Sequence, residues 1–319
     1  MADNNYSLIS STQLAKICGV SQGTVDRALH NRTGINVLTK QKILDAAKKY
    51  GYIPNVTDNL LSGHRSQLYG IVLFNLYNDY FSDFIMNFEV LCKKIGYNSV
   101  VMFSHNDLKT EIGCLNQLVH LGVDGIILCP VGEGKEYSSY LKSLKTPIVT
   151  IGNRVEDIPF VGINDKKAMK EITVNALESS YSSFVYYAPV LKRRGKENIY
   201  AQQMRLEGFL SEIKGKNVFY EVVTDENELL ETICDSKKKC AVICPSDVYA
   251  IRAFSAITGN RIKDTDIYGF DKSNLLLNGK FNIKYIEYDK TLLAEKLYNS
   301  LTACDKTLCK YIPFKIISF

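Results

Sequence analysis

The chain has 319 residues and a mass of 36.0 kDa, long enough for two or three domains at roughly 100–200 residues each. Its 46% hydrophobic and 23% charged residues exclude a disordered or collagen-like chain, and its longest apolar runs, 70–74 and 125–129, fall far short of the ~18–20 residues of a membrane helix. The net charge of +5 sits at one end: residues 1–66 hold eight basic and four acidic groups, the other 253 thirty-one and thirty, the footprint of a chain end that meets phosphates.

Residues 1–6 show no basic stretch before an apolar one, so no secretory signal is read and a cytoplasmic location is expected. Nine cysteines, scattered from Cys18 to Cys309 without a Cys-x-x-Cys pair, argue against a disulfide framework or structural zinc. Cys129 and Cys244 read as core thiols.

In chain order, Leu14, Ala15 and Ile17 recur at helical spacing over 12–18, and Gly19 ends the pattern as a helix-terminating glycine does. Ser21 is placed to cap a second helix over 22–29, with Val25, Ala28 and Leu29 on its apolar face and Gln22, Gly23, Asp26 and Arg27 outward. Such a pair is a helix-turn-helix, which sets the N-terminal residues of its second helix against base edges in the major groove. Asn36 then caps a third helix through Ile43, Leu44, Ala46 and Ala47 to Tyr50.

Leu14-Ala15-Lys16-Ile17-Cys18-Gly19-Val20-Ser21, Thr24-Val25-x-Arg27, Asn31-Arg32, Ile43-Leu44 and Gly51-Tyr52-Ile53-Pro54-Asn55, followed by Leu61-Ser62-Gly63 and a strand at 69–72, resemble the headpiece of the LacI/GalR family of bacterial transcription regulators. The resemblance continues along the whole chain. It implies a DNA-binding head (1–52), a hinge segment (53–66) and a two-lobed effector-binding body (67–319), with one lobe over 67–162 plus 289–319 and the other over 163–288. It also implies a pseudo-palindromic double-stranded operator as partner of a homodimer, two heads meeting two half-sites. By position, Gln22 and Gly23 take the two leading base-reading places and Arg27 a third, with Ser21, Thr24, Asn31 and Asn55 in the same DNA-contacting set. Leu61 is the hinge leucine, an apolar wedge that unstacks a base step and bends the duplex. Arg27 either binds guanine O6 and N7 for ~1–3 kcal/mol of discrimination or pairs with a phosphate. Gly23 has no side chain to read with, while Asp26 is expected to point aside and Asp58 to face away from DNA.

From residue 67 the pattern changes to short buried strands alternating with amphipathic helices, an α/β body with parallel sheets. Strands are predicted over 69–74, 99–103, 125–129 and 148–151, then over 183–187, 218–223, 241–244 and 266–268. Helices fall between them over 83–95, 109–121, 136–144, 166–178, 201–213, 226–234 and 247–257. Two lobes of similar construction follow, with a ligand cleft where the carboxyl ends of both strand sets face each other. A last helix over 290–301 has no leucine-heptad tail after it, so dimers rather than tetramers are expected. No nucleophile, acid and base set emerges from His30, His64, His105 and His120, and Gly132-Glu133-Gly134 is no phosphate loop; neither enzyme activity nor a cofactor or metal is expected.

The body resembles the family's type I periplasmic-binding-protein-like effector domain through Tyr80-Phe81, Val123-Asp124-Gly125-Ile126-Ile127, Arg205-Leu206-Glu207-Gly208-Phe209, Pro245-Ser246-Asp247 and Gly269-Phe270-Asp271. The resemblance implies that Phe81 stacks on the effector, Arg205 donates to its oxygens and Asp271 accepts from its hydroxyls, with Tyr80 and Ser246 beside them and Asp247 ordering the loop. A fork-shaped cation, a carboxylate and an aromatic face are what a polyol needs, so a sugar or sugar phosphate is expected. The basic run Leu191-Lys192-Arg193-Arg194-Gly195-Lys196 reads as a solvated loop or, at the cleft mouth, as a feature favouring an anionic effector. The alternatives are a regulator signalled by a protein partner, a solute-binding protein, and an enzyme on the same body.

Overall fold

In the computed structural model, Ser10 opens the first helix of the head, α1 (Ser11–Cys18): Ser10 Oγ accepts from the Gln13 amide at 3.2 Å and Gln13 Oε1 accepts from the Ser10 amide at 2.7 Å, a reciprocal capping pair. Gly19 ends it at φ 68°, a left-handed conformation that costs glycine little. Ser21 Oγ accepts from the Thr24 amide at 3.2 Å at the start of α2 (Gln22–Leu29). Asn36 Oδ1 accepts from the Leu38 amide at 2.9 Å at the start of α3 (Val37–Lys49). The Gly19, Ser21 and Asn36 signals therefore stand where the sequence puts them. Leu14, Ala15, Cys18, Val25, Ala28, Ile43 and Ala47 fill a core between the three helices.

The structure describes residues 9–29, 32–52, 66–77, 79–191, 198–236, 239–260, 262, 264–271, 283–302 and 308–318. The chain divides into two units, 1–66 and 67–319. The second begins β1 (Leu68–Leu73), α4 (Asp79–Lys94), β2 (Asn98–Phe103), α5 (Leu108–His120), β3 (Gly125–Leu128), α6 (Gly134–Ser143), β4 (Ile148–Thr150) and β5 (Phe160–Gly162). It continues α7 (Asp165–Leu177), β6 (Ser183–Tyr187), α8 (Tyr200–Ile213), β7 (Phe219–Val223), α9 (Glu226–Ser236), β8 (Cys240–Ile243), α10 (Asp247–Gly259), β9 (Thr265–Phe270) and β10 (Ile283–Tyr288). α11 (Lys290–Leu301), β11 (Cys309–Tyr311) and β12 (Phe314–Ser318) close it.

The strands form two sheets, in the orders β11-β5-β4-β3-β1-β2 and β12-β10-β9-β8-β6-β7. The two orders are the same pattern twice, parallel throughout except that β12 runs antiparallel to β10. Central strands are apolar on both faces because helices cover both; β1, β3, β6 and β8 are buried almost end to end. Strand order reverses at β1 and at β6, and the crevices beside those reversals are where open α/β sheets take ligands.

The lobe boundaries differ from expectation at the C-terminus. The sequence reading puts residues 314–318 in the first lobe, but β12 joins the second sheet along β10. β11 lies in the first sheet and β12 in the second, with Pro313 between them; proline, lacking an N–H, suits a break between strands better than a place within one. The chain thus passes between lobes three times, after β5, after β10 and after β11. β5 and β10–β12 carry no strand prediction.

Helices α7 and α8 approach each other at Gly208, where an added Cβ would lie 2.5 Å from the Lys166 carbonyl oxygen and 3.2 Å from the Lys170 amide nitrogen. Both are backbone atoms, so relief requires the helices to separate. Gly208→Ala is expected to cost about 1–3 kcal/mol, as overpacking does, read by urea denaturation; an unchanged midpoint would contradict this packing.

Candidate functional site

Two groupings of predicted residues result, one in each unit. In the head, Ser21, Gln22 and Gly23 are exposed at the N-terminal end of α2 and Arg27 in its last turn, and Thr24 is half-buried. Gly23 and Arg27 are four apart and share a helix face. Ser21 Oγ lies 2.9 Å from Thr24 Oγ1, and Gln22 Nε2 donates to Ser11 Oγ at 2.8 Å, which ties the leading side chain of α2 to α1. At Gly23 an added Cβ would meet only Ser21 Oγ, at 3.9 Å; the glycine leaves the helix backbone open to approach. Asp26 pairs with Arg32 at 3.1 Å. Asn31, Asn55, Leu61 and Asp58 lie outside the described residues.

The second grouping lies between the lobes of the body. Arg205, on α8, donates through Nε to Asp165 Oδ1 at 2.8 Å, with Nη2 also 2.8 Å from that oxygen, and through Nη1 to the Pro245 carbonyl. Its guanidinium carbon sits 4.0 Å from the Phe270 ring centroid. Burial pushes the Asp165 carboxyl up, opposed by Arg205. Asp271, in the left-handed region at φ 61° just past β9, accepts from Lys290 Nζ at 3.0 Å. Lys290, the first residue of α11, lies 3.8 Å from the Tyr288 ring centroid and 5.0 Å from that of Tyr80.

The two predicted aromatics divide their roles. Phe81 is 6% exposed, packed edge-on against Phe74 at 6.3 Å, a core ring with little free face. Tyr80, half-buried, faces Tyr288 at 6.0 Å. Ser246 is half-buried and forms no side-chain cap on α10. The basic run is described only at Leu191.

Asp247 does more than order a loop. It is 1% exposed; Oδ1 accepts from the Val248 amide at 2.8 Å and Oδ2 from the Asp79 amide at 3.2 Å. That second bond crosses from the second lobe to the start of α4 in the first, where the helix N-terminus favours a carboxylate. Burial, and then the charge of Asp271, push its carboxyl up to about 6. The native state therefore binds more protons here than the unfolded chain between about pH 4 and pH 6, and stability from this site falls as pH rises through that window. Asp247→Asn is expected to flatten that segment of the stability–pH profile, measured by denaturation at several pH values; an unaltered slope would contradict it.

A further cross-lobe clasp was not singled out in the sequence. Asn198, just before α8, donates from its amide to the Val131 carbonyl at 2.7 Å and from Nδ2 to the Gly132 carbonyl at 3.1 Å and the Arg154 carbonyl at 2.7 Å. Asn153 Nδ2 donates to the Asn198 carbonyl at 2.8 Å, and its Oδ1 accepts from the Ala201 amide at 3.1 Å. Glu111 holds the Val131–Gly132 loop from behind, accepting from both amides at 2.7 and 3.2 Å and from the Tyr137 hydroxyl.

Among the described residues no cluster of His, Cys, Asp and Glu could hold a metal ion, and no helix is long and apolar enough to cross a membrane.

Comparison with known proteins agrees with this architecture. Residues 13–55 match the model of bacterial regulatory proteins, lacI family. Catabolite control protein A of Staphylococcus xylosus is 27% identical over 188 residues, 58% of this chain and 57% of that protein, so the match spans little more than half of that relative's length. The HTH-type transcriptional regulator RegA of Clostridium acetobutylicum is 26% identical over 290 residues, 82% of each chain. The solved lac repressor dimer bound to operator and the anti-inducer ONPF superposes with a TM-score of 0.79 at 16% identity, covering 98% of both chains; at that identity the likeness speaks for the fold. The helix-turn-helix head is thus similar to the lacI family of bacterial regulatory proteins over residues 13–55, and the doubled α/β body shares the fold of the lac repressor.

Proposed function

We propose that this protein is a sequence-specific DNA-binding transcription regulator, a repressor in the first instance, acting inside the cell as a homodimer on a pseudo-palindromic operator. The observation that carries the reading is the exposed ridge Ser21, Gln22, Gly23 and Arg27 on a capped α2, the geometry of a recognition helix. Gln22 and Arg27 read base edges, Gly23 lets the backbone approach, and Ser21 and Thr24 serve phosphates; Asn31, Asn55 and Leu61 complete the contact set.

In the body, the cleft takes a small carbohydrate effector. Arg205, Asp271 and Ser246 supply its polar partners and Tyr80 its aromatic face, with Phe81 behind that ring. An effector regulates only by binding one lobe arrangement better than another, and the cross-lobe bonds of Asp247 and Asn198 are contacts that such a change would make or break. No catalysis is assigned to it.

The test is a footprint of the full chain on the DNA upstream of its own gene at stated ionic strength, with Arg27→Ala alongside. A protected palindrome is expected, with Arg27→Ala losing about 1–3 kcal/mol of preference at one base pair in each half-site. A uniform loss across all sequences would reassign Arg27 to a phosphate, and no protection at low salt, with or without a sugar panel, would refute the regulator reading.

A further inference from the structure

The polar groups of the cleft do not balance. Asp165, Asp247 and Asp271 are all buried, at 5%, 1% and 6% exposure. Two cations face them, and both are committed: Arg205 to Asp165 and the Pro245 carbonyl, Lys290 to Asp271. Among the described residues, the third carboxylate, Asp247, has backbone donors alone, the Val248 and Asp79 amides, which occupy two of the roughly four lone-pair directions a carboxylate offers. Among the described cleft residues, the unused valence is therefore anionic, and no cation is left over to meet a phosphate.

A second observation points to a ligand at the same place. The Tyr186 hydroxyl is buried, at 1% exposure, and has no hydrogen-bond partner among the described residues, although buried polar groups nearly always have one. It feels the charges of Arg205 and Asp165, and its ring is fixed by stacking on Phe209 at 5.0 Å. The cleft also displays how it houses an ammonium group. Lys290 Nζ sits against the faces of Tyr288 and Tyr80 with a carboxylate oxygen at 3.0 Å, the combination of ring face and anion that stabilises a desolvated amine.

We infer that the cleft selects an effector bearing a protonated amine, an amino sugar or amino polyol, with Asp247 as the residue that receives the ammonium and Tyr186 as a partner for a neighbouring hydroxyl. The inference rests on the reading of the cleft as a carbohydrate site and narrows it. An uncharged hexose would leave Asp247 without a cation, whereas a phosphate would add like charge to a buried carboxylate.

The experiment is calorimetric titration of the full chain with three matched sets: glucose, glucosamine and glucose 6-phosphate, then the corresponding galactose and mannose compounds. In at least one set the amino sugar is expected to bind about tenfold tighter than the parent hexose, the gain of one charge-assisted contact. Asp247→Asn is expected to erase the amine preference, and a thermal melt of the unliganded variant shows whether it is folded. The ranking of the unsubstituted protein decides the matter even if that variant does not fold. A hexose or its phosphate binding as tightly as the amino sugar in every set would overturn the inference and leave the carbohydrate reading standing. Binding by no member of any set would overturn both.

Discussion

Arg205→Ala is expected to destabilise the body by about 3–5 kcal/mol, the cost of leaving one partner of a buried ion pair uncompensated. The Arg205 and Asp165 side chains are 15% and 4% exposed, so water cannot take over the lost contacts. The substitution strips Asp165 of both guanidinium donors at once and removes the cation stacked 4.0 Å from Phe270. Burial already holds the Asp165 carboxyl above its ordinary value, against the pull of Arg205; without that pull it rises further and takes up a proton. A folded carboxyl raised above its unfolded value loses stability as pH rises, so the variant should be weakest at the alkaline end of the profile. Adding Asp165→Asn should recover much of the loss, because the orphaned charge is gone, and a double-mutant cycle by urea denaturation measures the coupling. A loss below about 1 kcal/mol for Arg205→Ala would place the pair in the range of solvated surface bridges and contradict the geometry.

Glu111→Ala is expected to cost about 3 kcal/mol or more, at roughly 1–3 kcal/mol for each buried donor left without an acceptor. The Glu111 side chain gathers the Val131 amide, the Gly132 amide and the Tyr137 hydroxyl at one carboxyl group that is fully buried. No rearrangement readily replaces it, since Gly132 lies against the Tyr137 ring so closely that an added Cβ would fall 2.7 Å from it. The consequence reaches the other lobe, because Val131 and Gly132 present the carbonyls that Asn198 clasps. Hydrogen exchange should accordingly show reduced protection at the Asn198 amide in the variant, together with the shifted urea midpoint. An unchanged midpoint with unchanged protection would mean that the loop holds itself and that Glu111 is incidental.

The head was legible in the sequence because its determinants are local. Gly19, Ser21 and Asn36 act within a few residues of where they stand, and the apolar stripes of three short helices need no distant partner to be recognised. The central strands of the body were legible for a related reason, since a strand covered on both faces is a continuous apolar run. β5 and β11 are three residues each, too short for a period to register, and β12 owes its place to pairing with β10 across the whole of α11 and β11.

The cleft was half legible. Arg205 and Asp271 were expected there, but Asp165 reads in sequence as an ordinary first-turn acid and Lys290 as an ordinary helix lysine. Their roles depend on partners 40 and 19 positions away, which no local pattern encodes. The same holds for Asp247, whose bond to Asp79 spans 168 positions. Phe81 shows the opposite case: an aromatic beside another at the start of α4 gives no sign of which ring turns inward, and the packing against Phe74 assigns the core to Phe81.

Whether the head reads sequence is decided by the equilibrium affinity of the full chain for the duplex it protects and for a scrambled duplex of equal length and composition, over a series of salt concentrations. Binding to the protected duplex is expected to be tighter by ~10³ or more, with affinity for both duplexes falling linearly on logarithmic axes as salt rises. Equal affinity for the two duplexes at every salt concentration would mean that the positive head meets phosphates without reading bases, and that the protein is no sequence-specific regulator.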